Sequence, residues 1–446
     1  MITPFCFIIY VIECKKIQKS KIMPKLKIRL SLMMFLQYAV WGAYLLSLGA
    51  YLSSIGFGEK IGWFFAAQGV VSLFMPAFVG IVADRWIMPK RVYALCHIIS
   101  ALCMMIVGIN GFNDSPSFTS LFLPYCISTI FFMPTIALSN SICFSLLQHN
   151  GIDTVSEFPK IRMWGTIGFI MAMWVVNFAE IQTSAYQFIL RSSLGLLFSL
   201  YIFTLPKTEL LHRMEGKSVM SLMGYSAFHL FRNRRLAVFF IFAMAYGVCL
   251  QITNGFVTPY LESFAVQDEY AQSFVVKNSL FLTSLSQISE AFCILLLPFC
   301  IKKWGIKPVI VLAAIAWMLR YVLLGAGNPT GGVAFLILSM IVYGIAFNFF
   351  NIAGSMFVDS ETEPERRSCA QGMFMMMTNG FGTFFGMILA QKVVNMFTES
   401  EFVGNRYYTL GNWSMVWMIF SIFALLIALL FALSFKEKNR SCEDGK

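Results

Sequence analysis

"SLFLTSLSQISEAFCILLLPF", residues 279–299, is an apolar run with a carboxylate, Glu290, set inside it and Gln287 three residues earlier. About 20 apolar residues in a helix cross a hydrocarbon core of about 30 Å. The whole chain decides whether this run lies in lipid or in a soluble core. Of its 446 residues 58% are hydrophobic and only 12% are charged. A soluble chain carries about 25% charged residues and cannot hide so much apolar surface from water. The chain therefore reads as an integral membrane protein, and Glu290 as an ionisable group inside a span.

Similar runs recur at 28–52, 61–82, 91–109, 119–147, 161–181, 185–205, 236–258, 276–300, 308–326, 333–358, 370–395 and 411–435, which predicts an all-α fold of twelve transmembrane helices. Pro124 and Pro134 fall inside the fourth run, where a membrane helix tolerates them because neighbouring groups re-satisfy the freed carbonyls. The longest hydrophilic connection, residues 206–235, divides the spans six and six. The expected organisation is an N-terminal extension at 1–22 that is disordered or lies upstream of the true start, a six-helix bundle at 23–205, a cytoplasmic linker at 206–235, a second six-helix bundle at 236–436 and a tail at 437–446.

Charge follows the same division. The net charge of +11 sits in alternate loops: Lys15 to Arg29, then Arg85, Lys90 and Arg91, then Lys207 to Arg235, Lys302 to Lys307, Arg366 and Arg367, and Lys436 to Arg440. Cationic loops on one side set membrane topology, so both termini are expected in the cytoplasm, as an even span count requires. This distribution excludes a nucleic-acid-binding face. The 11 cysteines form no CxxC pair and no zinc spacing with the 4 histidines, so neither disulfides nor a metal site nor any cofactor is expected. An enzyme is disfavoured because no histidine is read as lying deep in a span and no carboxylate pair is evident. No span shows a repeated channel filter.

The polar residues inside the spans are more informative. Arg162, Thr166 and Phe169 are spaced i, i+4, i+7 on one helix face, Gln251 and Asn254 are i, i+3, Gln287 and Glu290 repeat that spacing, and Tyr343 and Phe347 are i, i+4. Single amides such as Gln37, Gln68 or Asn379 read as interhelical glue. An intramembrane carboxylate or guanidinium marks a pathway or site by default; Arg162, near the start of its span, either does so or snorkels to the cytoplasmic surface. Arg191 and Arg320 read as structural or interfacial. Amides, a carboxylate, an arginine and aromatic faces together suit a polar, uncharged, partly planar solute, and a sugar alone would also be served. Gly165 with Gly168, and Gly382 with Gly386, let helices approach closely, for sliding or for static packing.

"GIVADRWIMPKR", residues 80–91, places Asp84 and Arg85 at a helix end beside Lys90 and Arg91, a cytoplasmic charge latch. It resembles the loop between the second and third helices of the major facilitator superfamily, without that pattern's second glycine, and "IKKWGIKP" (301–308) is a degenerate echo in the second half. "WGAYLLSLGAYL", "FMPAFVGIVADRW", "FPKIRMWGTIGFIMAMWVV", "FFIFAMAYGVCLQITN", "SLSQISEAF", "LSMIVYGIAFNFFNIAGSMFV" and "AQGMFMMMTNGFG" resemble, in order, segments of the bacterial nucleoside:proton symporter family, which contains the nucleoside and xanthosine permeases. The likeness runs from about residue 24 to 436.

That resemblance implies a major facilitator superfamily transporter in the bacterial inner membrane, most simply a monomer, importing nucleosides with protons by alternating access; a facilitator or symporter for another polar solute, a modified nucleoside or a sugar, is the alternative on the same fold. It also implies the nucleoside-binding positions: Arg162, Thr166, Phe169, Gln251, Asn254, Gln287, Glu290, Tyr343 and Phe347, with the amides and Glu290 on ribose or base edges and the aromatics stacking the base. One position departs from the family pattern, Asn348, where an aspartate is typical. An amide cannot titrate, which leaves Glu290 as the proton-coupling carboxylate of the expected set, unless another carboxylate serves or the chain is a facilitator.

Overall fold

Apolar runs of spanning length can satisfy their backbone groups in lipid only by coiling into helices. A computed structural model shows that they do; it describes residues 24–206, 230–363 and 366–435, without the side chains of residues 84, 85, 155 and 368. The extension at 1–22, residues 207–229 of the linker and the tail at 437–446 lie outside the described residues, as do the side chains of Asp84 and Arg85 from the expected latch.

Helix α1 covers residues 24–42 and, after a turn at 43–47, continues as Leu48–Ser54. Then come α2 (Ile61–Arg85), α3 (Pro89–Asn110), α4 (Phe118–His149), α5 (Thr154–Phe178) and α6 (Tyr186–Thr204). The second half holds α7 (Arg234–Ser263), α8 (Ser279–Trp304), α9 (Ile306–Ala326) and α10 (Val333–Ser360). Helix α11 is α-helical over Arg367–Met375, π-helical over Met376–Gly382 and α-helical again over Thr383–Phe397. Strands β1 (Thr398–Val403) and β2 (Arg406–Gly411) precede α12 (Trp413–Ser434). Among the described residues eleven helices, α2 to α12, are long and apolar enough to cross a membrane. The broken α1, with Lys25, Lys27 and Arg29 in its first turns, completes the twelve.

Two elements differ from the sequence expectation. The segment 398–411, read as a loop, is an antiparallel hairpin with Val403 paired to Arg406 across a two-residue turn, where Gly404 takes a positive φ of 66°. Helix α7 runs beyond residue 258 to Ser263, which keeps Glu262 helical and 5% exposed.

Within the first half, α3 packs on α4 and α6, and α2 packs on α4; within the second, α9 packs on α10 and α12, and α8 on α10. Between halves, α1 meets α7, α2 meets α11 and α5 meets α8. The core of the first half contains a histidine after all. His97, 1% exposed in α3, lies 2.9 Å from Gln37 Oε1, which also accepts from the Tyr93 hydroxyl at 2.6 Å, while Gln37 Nε2 donates to Thr135 at 2.9 Å. This corrects the sequence reading. The helix places residue 97 well inside the bundle, where the imidazole ties α3 to α1 through the Gln37 amide, and no hydrogen bond among the described residues joins it to a carboxylate. Gln37 is interhelical glue as expected, whereas Asn379 is exposed and its amide rests on the Met375 sulfur of its own helix.

Arg191 and Arg320 are structural and, at 1% exposure each, fully buried rather than interfacial. Arg191 donates to the Ser100 carbonyl at 2.8 Å and Arg320 to the Ser339 carbonyl at 2.8 Å. Arg320 also faces the Tyr343 ring at 4.7 Å. Lys90 donates to the carbonyls of Phe203 (2.8 Å) and Leu205, capping the last turn of α6.

The halves are joined at the end of the bundle remote from the described termini. There Asn177 of α5 bonds Asn278 beside α8 (2.8 Å), Trp174 bonds Ser284 (2.9 Å), Thr258 of α7 bonds the Leu46 carbonyl (2.5 Å), and Gln391 of α11 bonds the Gly58 carbonyl (3.0 Å). Helix α2 shows how the cleft widens away from this end. A side chain on Gly62 or Gly69 would strike α11, but one on Gly80 farther along α2 or on Gly372 farther along α11 would have nothing within 4 Å of its Cβ. The two helices touch at one end and splay apart at the other.

Candidate functional site: a cleft between the two halves

Helical periodicity alone puts Arg162, Thr166 and Phe169 on one face of α5, and the same rule aligns the pairs on α7, α8 and α10. Tertiary packing then sets α5 against α8 and α8 against α10. Phe169, Gln251 and Tyr343 are buried, and Arg162, Thr166, Asn254, Gln287, Glu290 and Phe347 are half-buried, the gradation expected of residues lining a cleft.

The second half builds one wall. Tyr343 and Phe347 stack with centroids 5.6 Å apart and planes 7° apart, giving a flat aromatic surface one helical turn long. Trp317 meets Tyr343 edge-on at 5.8 Å behind it. Gln287 of α8 faces the Tyr343 hydroxyl, and Glu290 lies within electrostatic reach of Tyr343. Asn348, 4% exposed, donates its amide to the Glu290 backbone carbonyl at 2.5 Å. On α7, Asn254 Nδ2 donates to Gln251 Oε1 at 3.3 Å.

The first half builds the other wall. Arg162 does not snorkel: its guanidinium lies 3.8 Å from the Tyr38 ring centroid and within electrostatic reach of Glu290 on the opposite half. Phe169 meets Trp41 edge-on at 6.1 Å. The structure therefore brings together Arg162, Gln287, Glu290, Tyr343 and Phe347. Among the described residues, no hydrogen bond joins Thr166 or the Gln251–Asn254 pair to that group. Sequence reading missed Tyr38 and Trp41 on α1; their i, i+3 spacing in "QYAVWGAY" was the available signal, hidden by how ordinary aromatic residues are in a span. No group of three metal-ligating side chains occurs among the described residues.

A cationic and an anionic side chain from opposite halves, flanked by amides and a stacking surface, can hold a neutral planar solute with polar edges and can bind a proton at one carboxylate.

Residues 24–440 match the profile of the family described as nucleoside H+ symporter. The chain is 42% identical over 417 residues to the nucleoside permease NupG of Escherichia coli, covering 93% of this chain and 97% of that one. It is 41% identical to the xanthosine permease of the same organism, covering 92% and 96% of the two chains. The crystal structure of the nucleoside transporter NupG superposes with a TM-score of 0.83 at 42% identity, covering 93% of this chain and all of that one. The xylose transporter XylE, at 14% identity, 92% coverage of this chain, full coverage of its own and a TM-score of 0.58, shares the fold, which is that of the major facilitator superfamily. The relatives at about 42% identity are permeases, transporters rather than enzymes. On a profile match that covers nearly its whole length, the chain belongs to the nucleoside H+ symporter family.

Proposed function

We propose that this chain carries nucleosides together with protons across a bacterial inner membrane, inward and by alternating access. The observation that carries the reading is the Arg162–Glu290 juxtaposition across the cleft, with the Tyr343–Phe347 stack beside it, in a member of a nucleoside H+ symporter family.

In this reading Phe169, Tyr343 and Phe347 take the base, and Gln251, Asn254, Gln287, Thr166 and Arg162 take the ribose hydroxyls and base edges. Glu290 binds the proton. A half-buried carboxyl at membrane depth is costly to keep charged without a partner, and Arg162 is that partner when no proton is bound. Binding a proton removes the attraction between halves, which is how one ionisable group links proton occupancy to the movement of two rigid bundles.

The bundles are taken as 23–205 and 236–436, joined by the linker at 206–235, with both termini in the cytoplasm and the protein a monomer in the bilayer. The splayed end then faces the cytoplasm, and the conformation is inward-facing.

The test is uptake of labelled uridine, adenosine, inosine and xanthosine by cells lacking their own permeases, with and without an uncoupler. Saturable uptake that collapses with uncoupler is expected. Absence of uptake above background overturns the substrate; indifference to uncoupler overturns the coupling. Competition by sugars but not nucleosides would move the assignment to another polar solute.

A further inference from the structure

The Arg162 guanidinium lies within electrostatic reach of Glu290 on a side chain long and flexible enough to sit elsewhere, so something must hold it there. The neighbour in position to do so is Tyr38 on α1, a residue outside the nine-member set. Its ring centroid is 3.8 Å from the Arg162 guanidinium carbon, its side chain is 6% exposed, and it lies within electrostatic reach of both Arg162 and Glu290. The space for this contact is made by Gly165. A Cβ there would come within 2.6 Å of Tyr38 Cδ2 and 2.9 Å of Arg162 Nη1. Trp41, one turn on, meets Tyr38 at 6.1 Å and Phe169 at 6.1 Å, so the Tyr38 ring is itself wedged in place.

We propose that Tyr38 is a positioning residue: it holds the Arg162 guanidinium aimed across the cleft at Glu290, so that arriving solute meets an oriented cation. The inference rests on the reading of Arg162 as part of the nucleoside site. A desolvated guanidinium over an aromatic face is held more firmly than either group alone, and Gly165 is the residue that lets α1 and Arg162 occupy one side of α5 together.

The experiment measures KM and Vmax for labelled uridine, adenosine, inosine and xanthosine in full-length chains, with membrane protein quantified by fluorescence-detected size exclusion. Tyr38→Leu is expected to raise KM roughly tenfold, the scale of one desolvated cation–π contact, with Vmax changed less than about threefold. Tyr38→Phe keeps the ring face and is expected to lie nearer wild type than Tyr38→Leu by about fivefold or more. Because Tyr38 acts through Arg162, Tyr38→Leu on top of Arg162→Gln should raise KM no further than Arg162→Gln alone. Should Tyr38→Leu not accumulate, Gly165→Ala reads the same contact from the other side: its methyl displaces the pair, raises KM, and adds nothing to Arg162→Gln. Independent, multiplying effects, or equal KM values for the Leu and Phe variants, overturn the inference while leaving nucleoside transport intact. If the wild-type chain takes up none of the four nucleosides, the functional reading falls, and this inference with it.

Discussion

Asn348 donates its side-chain amide to the backbone carbonyl of Glu290 at 2.5 Å, so the amide that stands where the family resemblance leads one to expect an aspartate is tied to the helix turn that carries Glu290. An ionised aspartate accepts hydrogen bonds and cannot donate one. At this position it would set two acceptors face to face in a buried place.

Asn348→Asp is therefore expected to destabilise the protein near neutral pH by about 1–3 kcal/mol, the cost of leaving a buried acceptor unpaired. The loss should shrink in acid, where a protonated carboxyl again has a hydrogen to donate. Thermal melting of purified protein at acid and at mildly alkaline pH measures this. Equal loss at both, or none, would show that the amide bond does not support α8.

Glu290→Gln keeps the shape and hydrogen-bonding capacity of the side chain and removes its proton. Concentrative uptake is expected to vanish, while exchange of external label against preloaded nucleoside persists. Proteoliposomes with and without an imposed proton gradient separate the two. Loss of both in parallel would assign Glu290 to binding instead of coupling.

The Tyr343–Phe347 stack is expected to hold the base by its face. Phe347→Ala should raise KM by roughly 5- to 150-fold, the range of about 1–3 kcal/mol per aromatic–base contact. Phe347→Tyr should cost far less, since the π-face remains. Uptake kinetics across purine and pyrimidine nucleosides check this; an unchanged KM for Phe347→Ala would remove the stacking role.

At the closed end, Arg406 of β2 donates to Glu262 of α7 at 3.1 Å, to Thr183 of the first half at 3.0 Å and to the Tyr408 hydroxyl at 2.7 Å. Burial pulls the Arg406 guanidinium down, but Glu262 and Tyr408 outweigh it and hold the group above the ordinary arginine range. A cation so raised contributes stability at all pH below that range and loses it only in strong alkali, so the arginine end of the bridge is constant over any working pH. Arg406→Ala leaves Glu262 buried without its cation and should cost about 3 kcal/mol, toward the low end for a broken buried pair because Arg406 is partly exposed. Adding Glu262→Gln should recover most of that loss. Melting of the single and double variants decides it; simple additivity would mean that the pair does not act as a unit.

The legible part of this protein is what depends on near neighbours in the chain. Span length, the polar stripes on α5, α7, α8 and α10 and the alternation of loop charge follow from a 3.6-residue period and a 30 Å apolar slab. Those rules placed Glu290 on a common face with Gln287 before any contact was known. The "VGNR" turn between β1 and β2 also has a local signature, a two-residue hairpin signal, masked by Glu399 and Glu401 in β1, a residue type depleted in strands.

The remaining features join residues far apart in sequence. Tyr38 stacks on Arg162 across 124 positions (162 − 38), Arg406 reaches Glu262 and Thr183 from a hairpin, and His97 settles on Gln37 of another helix. The sequence by itself determined which residues are polar inside the membrane and which of them share a helix face, because backbone geometry sets that residue by residue. Only the tertiary structure decided that the Arg162 guanidinium lies over the Tyr38 ring within electrostatic reach of Glu290, and that the two halves join at one end, because these depend on how twelve helices pack, and close packing admits few arrangements that no single helix specifies.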